Sequence, residues 1–224
     1  MADSQGRRLR GLLCDLDGTL ADSEPLHCTA WLDLLSEEYG QEYDAHWFEQ
    51  WIGTSDRVVA DYLIEQHGWQ VSQDELILQK QERFHAAVRR EGKTFAGIGE
   101  ALQKIFGNFP LAIATNSGRA DADLMIESTG LDRYTSISVT ASDVKYMKPA
   151  PDIYLLAADK LGLPANQCIA IEDSGPGGEA AKAAGCYLIG LNERVTQADE
   201  FIADNAAALT RALQLLQKNR AVLQ

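Results

Sequence analysis

The sequence predicts an α/β protein with a doubly wound, mainly parallel sheet that is interrupted by an all-helical domain. Two features of the 224 residues predict this class. In the second part of the chain, short apolar runs alternate with amphipathic stretches, which is typical of parallel strands joined by crossover helices. Between about residues 23 and 93, only the helical spacing of apolar residues is found, which indicates a separate helical domain.

The domain boundaries follow from where these patterns change. We predict that residues 1–22 and 94–224 form the α/β core and that residues 23–93 form the helical domain. The first helix is expected to begin near Asp22-Ser23-Glu24-Pro25, because Asp and Ser are preferred N-caps and Pro is tolerated in the first turn. Apolar residues then recur at helical spacing through the domain, among them Trp31, Leu34, Leu35, Val59, Leu63, Leu76, Phe84 and Val88.

The elements of the α/β core are predicted from apolar runs and from the turn residues that bound them. The predicted strands cover residues 8–14, 111–115, 136–139, 168–171 and 187–191, of which 136–139 has the weakest pattern. The predicted helices cover residues 98–106, 119–128, 151–161, 177–184 and 205–217. This alternation predicts helices that pack on both faces of one sheet.

Composition and charge limit the classes of function. The net charge is −13, from 20 Lys and Arg against 33 Asp and Glu, which argues against general nucleic-acid binding and against docking on anionic lipid. No apolar run is long enough for a membrane span, and Leu12-Leu13-Cys14 is too short for the core of a signal peptide. The four cysteines lie far apart and are expected to be buried and reduced. We expect a cytoplasmic, monomeric protein that acts on a small molecule, not on nucleic acid or a membrane.

Two acidic residues follow the first predicted strand directly. Asp15 and Asp17 are one residue apart at its carboxyl end, and Gly18 comes next. Ligands of open α/β sheets bind at this end of the strands, and alternate residues share a face, so the two carboxylates can converge. Close carboxylates repel each other unless a cation or a shared proton compensates, and Mg²⁺ is a hard cation that takes oxygen ligands. Taken alone, however, Asp-x-Asp-Gly is more often an ordinary turn.

Three further segments place chemically useful side chains near strand ends. Thr115 follows an apolar run and could hold a phosphate, although a capped helix start is favoured for this segment alone. Lys148 precedes a predicted helix and would neutralise charge among carboxylates, although a lone lysine is usually solvated. Glu172 and Asp173 end a fully apolar run, where a helix N-cap explains one acidic residue but not two.

The order and spacing of these segments resemble the four motifs of the haloacid dehalogenase superfamily of phosphotransferases. The matching residues are Asp15-x-Asp17-Gly18-Thr19, Thr115, Lys148-Pro149 and Glu172-Asp173. The resemblance covers almost the whole chain and implies a Rossmann-like core, with the helical insertion as a cap domain of the family's first type. The segment Asp22-Ser23-Glu24-Pro25-Leu26-His27 is similar to the beta-phosphoglucomutase-like branch, which also holds many sugar-phosphate phosphatases.

The resemblance implies a role for each matching residue. Asp15 would be the nucleophile that forms an aspartyl-phosphate, and Asp17 would be the general acid and base. The cofactor Mg²⁺ would be held by Asp15, by Asp17 through its backbone carbonyl, and by Asp173, with Glu172 at or near the inner shell. The phosphoryl group would be bound by Gly18, Thr115, Asn116 and Lys148, of which Thr115 and Lys148 would also assist catalysis.

Three residues of the helical domain fall where members of the family contact substrate. These residues are His27, Arg57 and Lys80. His27 matches the pattern of the branch, which favours a functional role. Arg57 fits a solvated helix face about as well, and Lys80 is expected to be a surface residue. The resemblance also implies that this domain closes over the site and excludes water.

The resemblance leaves two reaction classes open. The first is Mg²⁺-dependent hydrolysis of a small phosphorylated metabolite, such as a sugar or polyol phosphate, and the alternative is a sugar phosphomutase of the beta-phosphoglucomutase kind. The intact set of acidic residues and lysine argues against a non-catalytic binding module. A dehalogenase is disfavoured because Asp17 would have no role with a halide leaving group. A phosphonate hydrolase would need a cap lysine, such as Lys80, that forms a Schiff base.

Overall fold

The structure is a computed structural model, and it describes residues 8–51 and 54–220. The chain divides into two compact units. One unit contains the described residues up to Asp22 and those from Lys93 onward, and the other contains Ser23–Gly92. The first unit is the α/β part of the chain, and the second is helical.

A six-stranded sheet forms the centre of the α/β unit. Its strands are β1 (Gly11–Cys14), β2 (Leu111–Ala114), β3 (Ser138–Val139), β4 (Cys168–Glu172), β5 (Tyr187–Gly190) and β6 (Glu200–Phe201). They are arranged in the order β3-β2-β1-β4-β5-β6, and every neighbouring pair is parallel. This arrangement confirms the predicted fold class.

The described part of the chain also contains nine α-helices. They are α1 (Glu24–Tyr39), α2 (Ala45–Glu49), α3 (Asp56–His67), α4 (Gln73–Glu91), α5 (Ile98–Ile105), α6 (Arg119–Thr129), α7 (Asp152–Lys160), α8 (Gly175–Ala183) and α9 (Asn205–Arg220). The first four belong to the helical unit, and the other five pack around the sheet. Within the described part of the chain, no helix combines the length and the apolar character that crossing a membrane requires.

The burial of the central strands explains why they appear as apolar runs in the sequence. All residues of β1, β2 and β4 are buried, as expected for central parallel strands that are covered on both faces. The prediction missed β6, because it has only two residues, Glu200 and Phe201, and no apolar run. Glu200 is instead held by the Tyr187 hydroxyl at 2.6 Å and by the Arg211 guanidinium.

The parallel arrangement brings the polar strand ends to one edge of the sheet. Asp15 follows the last residue of β1, Thr115 follows β2, and Glu172 is the last residue of β4. Since β1 lies between β2 and β4, the three residues come together although they are far apart in sequence.

The helical unit has a core of its own. Its buried residues are Trp31, Leu34, Leu35, Phe48, Val59, Ala60, Leu63 and Leu76. Helix α1 packs along α4, and α3 contributes Val59 and Leu63 to the same core. Both α1 and α3 end at a glycine in the left-handed conformation, Gly40 with φ 62° and Gly68 with φ 65°, where a residue with a side chain would be strained.

Candidate active site

Lys148 fixes the orientation of Asp15. The Lys148 Nζ atom lies 2.6 Å from Asp15 Oδ1, 2.5 Å from Glu172 Oε1 and 2.8 Å from the Ala114 carbonyl oxygen. An ammonium group has three N–H donors, so these three contacts use all of them. Both Lys148 and Asp15 are buried. The lysine therefore holds one carboxylate oxygen of Asp15 in a fixed place, and it must share or exchange a donor in order to contact a phosphoryl group.

Glu172 is surrounded by protein donors on both of its carboxylate oxygens. Its Oε1 atom accepts from Lys148 and from the Tyr154 hydroxyl at 2.7 Å. Its Oε2 atom accepts from the Ser174 backbone N–H at 3.3 Å and from the Ser174 hydroxyl at 2.9 Å. A Cβ atom at Gly177 would overlap the Glu172 carboxylate, so the glycine-rich start of α8 leaves the space that this side chain fills.

Gly18 allows Asp173 to approach the loop that follows β1. Gly18 has φ +73°, and a Cβ atom there would lie 2.5 Å from Asp173 Oδ2. The side-chain amide of Asn192 donates to the Asp173 backbone carbonyl and so fixes the start of the segment that follows β4. Gly18 thus fulfils both a backbone requirement and a requirement for close approach.

Carboxylates outnumber cations in this cluster. Asp15, Glu172 and Asp173 can each offer one oxygen such that these atoms lie within 4.8 Å of one another. Burial raises the pKa of Asp15 well above its ordinary value, the Lys148 ammonium opposes this shift, and the negative charges of Glu172, Asp173 and Asp17 add to it. A hard divalent cation would relieve this repulsion, and oxygen is the ligand type that Mg²⁺ takes. The residues present therefore fit a magnesium site.

The Asp17 carboxylate is held by two residues that follow β2. Its Oδ2 atom accepts from the Ser117 hydroxyl at 2.5 Å and from the Thr115 hydroxyl at 3.3 Å. The Thr115 hydroxyl in turn accepts from the Ser117 backbone N–H at 3.0 Å. These two hydroxyls fix the Asp17 side chain, and its predicted roles in proton transfer and in metal binding stay predictions.

Two of the residues predicted to bind phosphate have other tasks in the structure. The Asn116 side chain accepts from the Lys148 backbone N–H at 2.9 Å and donates to the Lys148 carbonyl at 3.2 Å. The Gly18 backbone N–H donates to the Ala21 carbonyl at 3.0 Å. Asn116 thus positions the segment that carries Lys148, and a phosphate contact from Asn116 would have to come from its backbone.

Lys80 is buried, contrary to the expectation of a surface residue. Its Nζ atom lies 2.8 Å from Asp56 Oδ2 and 2.6 Å from His27 Nδ1. His27 stacks on Phe84, with ring centroids 4.0 Å apart, and the Lys80 ammonium lies 4.9 Å from the centroid of the same ring. Two of the predicted substrate residues, His27 and Lys80, therefore meet inside the helical unit, where Asp56 compensates the charge of the lysine.

Arg57 lies on the exposed surface of α3. Its guanidinium is 3.0 Å from Asp74 Oδ1 and also donates to the Gln73 side chain. Asp74 and Gln73 belong to the first turn of α4, so Arg57 connects two helices of the same unit. Arg57 therefore lies on a solvated helix face, and its predicted contact with substrate stays a prediction.

Three residues around the site were not predicted from the sequence. Ser117 belongs to the Thr-Asn-Ser run after β2 but was not singled out there, Tyr154 lies in α7, and Asn205 begins α9. The Asn205 side-chain amide donates to the carbonyl oxygens of Gly18 at 3.1 Å and Thr19 at 2.8 Å. It thereby supports the loop after β1 from a distant part of the sequence, and no local pattern signals such a contact.

Comparisons with known proteins identify the family. The profile of haloacid dehalogenase-like hydrolases matches residues 12–191. The fructose-1-phosphate phosphatase YqaB of Escherichia coli (strain K12) is 33% identical over 178 residues, which cover 80% of this chain and 94% of that protein. A phosphorylated carbohydrates phosphatase of Thermotoga maritima is 27% identical over 220 residues, which cover 96% of this chain and 100% of that protein.

A solved structure supports the same grouping. A Thermotoga maritima protein provisionally named a beta-phosphoglucomutase superposes with a TM-score of 0.80 at 27% sequence identity, over 93% of this chain and 100% of that chain. The residues of the four motifs, from Asp15 to Asp173, all fall within the range that the profile matches. The chain therefore belongs to the haloacid dehalogenase-like hydrolases, in their beta-phosphoglucomutase-like branch.

Proposed function

We propose that this protein is a Mg²⁺-dependent phosphatase that hydrolyses a small phosphorylated metabolite through an aspartyl-phosphate on Asp15. The observation that carries the proposal is the buried pairing of Asp15 with Lys148 at 2.6 Å, beside a second aspartate held for proton transfer. Two relatives are named as phosphatases of fructose 1-phosphate and of phosphorylated carbohydrates, which supports a sugar or polyol phosphate as the substrate class.

The first half-reaction transfers the phosphoryl group to the protein. Lys148 holds Asp15 Oδ1, so we assign the attack on phosphorus to Oδ2. As the new oxygen–phosphorus bond forms, the bond from phosphorus to the leaving oxygen breaks, and Asp17 gives its proton to that oxygen. The hydroxyls of Ser117 and Thr115 keep the Asp17 carboxylate in place during this transfer.

The second half-reaction releases phosphate. Asp17, now ionised, takes a proton from a water molecule, and the water oxygen attacks the phosphorus of the aspartyl-phosphate. The bond between Asp15 and phosphorus then breaks, which restores the Asp15 carboxylate and frees inorganic phosphate. Burial raises the pKa of Asp15, but the Lys148 ammonium favours its ionised form, and an ionised carboxylate needs no general base.

The metal would be held by the Asp15 and Asp173 carboxylates and by the Asp17 backbone carbonyl. When bound, Mg²⁺ would offset the negative charge of the phosphoryl group in the transition state. Glu172 lies in the same cluster, but both of its oxygens already accept hydrogen bonds from the protein. We therefore assign Glu172 first to Lys148, and to the metal only if one of these donors is displaced.

Three cations of the helical unit, Lys80, Arg57 and Arg83, are paired with acidic residues, which we take to favour hydrolysis over phosphomutase activity. A mutase that works through a sugar bisphosphate must hold a second phosphate away from the nucleophile, which calls for an uncompensated cation. Lys80, a candidate for that task, is buried and paired with Asp56. Arg57 and Arg83 are paired with acidic residues of the same unit.

The test of this assignment compares the two activities directly. We expect beta-glucose 1-phosphate, incubated with a trace of the 1,6-bisphosphate, to yield free phosphate faster than glucose 6-phosphate. A panel of sugar and polyol phosphates, with fructose 1-phosphate included, is assayed in parallel for released phosphate. If glucose 6-phosphate forms much faster than free phosphate, the result contradicts the phosphatase assignment and supports the mutase.

Turnover is expected to require Mg²⁺. Chelation followed by dialysis should lower the rate by roughly 100-fold or more, the scale of losing one major electrostatic contribution to the transition state. Added Mg²⁺ should restore the rate, and circular dichroism of the chelated protein should match that of the untreated protein. Full turnover by protein in which elemental analysis finds no metal would contradict the proposal.

A further inference from the structure

Four buried side chains form a continuous chain of contacts that begins away from the reacting atoms. The Tyr154 hydroxyl donates to Glu172 Oε1 at 2.7 Å, Lys148 Nζ donates to the same oxygen at 2.5 Å, and Lys148 Nζ donates to Asp15 Oδ1 at 2.6 Å. Tyr154 and Glu172 are both fully buried, with 0% of their surface exposed. Tyr154 lies on α7 and Glu172 ends β4, so the hydroxyl joins a helix to the edge of the sheet that carries the site.

The hydroxyl completes the set of donors on Glu172. Ser174 supplies two donors to Oε2, and Lys148 and Tyr154 supply one each to Oε1. An ionised carboxylate has about four acceptor positions, so all of them are used. Without the hydroxyl, one position of a fully buried charge would lack a partner, and Glu172 could shift toward another donor. The Lys148 ammonium would shift with it, because the two groups are in direct contact.

We propose that Tyr154 is a positioning residue, whose hydroxyl holds Glu172 so that Lys148 keeps Asp15 aligned for attack on phosphorus. The proposal rests on the phosphatase function proposed above. Tyr154 would contact neither substrate nor metal and would act only through Glu172. The Tyr154 ring also lies near the ammonium, with Lys148 Nζ 5.1 Å from its centroid, so a test must keep the ring and remove the hydroxyl alone.

The test variant is Tyr154→Phe, and the structure offers a matched control. Tyr187 is also buried, belongs to the same unit, and donates its hydroxyl to a carboxylate, Glu200, at 2.6 Å. Tyr187→Phe therefore removes the same kind of hydrogen bond away from the site. With p-nitrophenyl phosphate as the probe, we expect Tyr154→Phe to slow the pre-steady-state burst of p-nitrophenolate about tenfold, the scale of one hydrogen bond to a charged group. KM is expected to change less than about twofold, and Tyr187→Phe should leave the burst rate unchanged.

A double-mutant cycle separates positioning from a general loss of stability. Glu172→Gln keeps the size of the side chain but removes its charge. If Tyr154 acts through Glu172, adding Tyr154→Phe to Glu172→Gln should slow the burst by less than about twofold further. The reason is that the effects of substitutions at residues in contact do not add. A role limited to packing would instead give the full tenfold loss in both backgrounds. The amplitude of the burst counts the competent molecules, so a partly unfolded variant still gives a valid rate constant.

Each outcome decides the proposal. A slower burst in Tyr154→Phe, with an unchanged control and a strong coupling to Glu172→Gln, supports it. An unchanged burst rate in Tyr154→Phe, or equal losses in the two backgrounds, overturns it while the phosphatase function stands. A wild-type protein that releases neither p-nitrophenolate nor phosphate from any tested ester overturns the proposed function itself, and the positioning role with it.

Discussion

Asp15→Asn is expected to abolish turnover while the protein stays folded. Asparagine has nearly the same shape, and its side-chain oxygen can still accept from Lys148, which contacts Asp15 Oδ1 at 2.6 Å. The variant lacks the negative charge that attacks phosphorus, and the neighbouring carboxylates have other tasks: Glu172 binds Lys148 and Tyr154, and Asp17 is held by Ser117 and Thr115. Loss of a covalent nucleophile costs roughly 10⁴-fold or more in rate.

The measurement is the burst of leaving-group release from freshly prepared protein, before deamidation can restore the aspartate. Asp199→Asn is a suitable control, because Asp199 also pairs with a lysine of the same unit, Lys182 at 2.8 Å, without belonging to the carboxylate cluster. The control should retain wild-type rates. A burst of near-normal rate in Asp15→Asn would remove Asp15 as the nucleophile and would require another residue to carry the phosphoryl group.

The fold was predictable because the central strands are buried on both faces. Strands β1, β2 and β4 appear in the sequence as apolar runs that end in turn or acidic residues, and a parallel sheet brings those ends to one edge. The edge strand β6 gave no such signal, since two residues held by side-chain contacts do not form an apolar run.

The position of Lys80 was predictable in principle, although the prediction made from the sequence was wrong. Lys80 lies four residues after Leu76 and four before Phe84, and all three are buried on α4. This spacing places the lysine on the apolar stripe of an amphipathic helix. What the spacing could not supply is the partner, because Asp56 comes from a different helix, 24 residues away in sequence.

The supporting residues of the site were harder to predict than the motif residues. Tyr154 has the spacing of an ordinary core aromatic on α7, and only its hydroxyl contact with Glu172 distinguishes it. Asn116 was expected to bind phosphate, but its amide fits the backbone N–H and carbonyl of Lys148. Such roles depend on contacts between segments that are distant in sequence, and these contacts leave no local pattern in a single sequence.

Asp17→Asn is expected to slow the reaction more for substrates with a more basic leaving oxygen, because such an oxygen must be protonated as it leaves. General acid assistance is worth about 10²–10⁴-fold. An alkyl phosphate, such as a sugar phosphate, leaves as a poor alkoxide and should lose nearly all of that assistance. p-Nitrophenyl phosphate leaves as a stable phenolate and should lose little. The variant keeps the backbone carbonyl that would face the metal, and its side-chain oxygen can still accept from Ser117, which binds Asp17 at 2.5 Å.

The leaving-group dependence must be measured in the first half-reaction. Steady-state rates would hide it, because Asp17 also activates water in the second half-reaction, which is common to all substrates. The measurement is therefore the single-turnover burst of leaving-group release, compared between a sugar phosphate and p-nitrophenyl phosphate. Ser117→Ala, which removes a hydroxyl that holds the Asp17 carboxylate, should slow the sugar phosphate by a smaller factor in the same direction. If Asp17→Asn slowed both bursts by the same factor, Asp17 would not be the proton donor. Its role would then have to lie in positioning the metal or in the structure of the loop after β1.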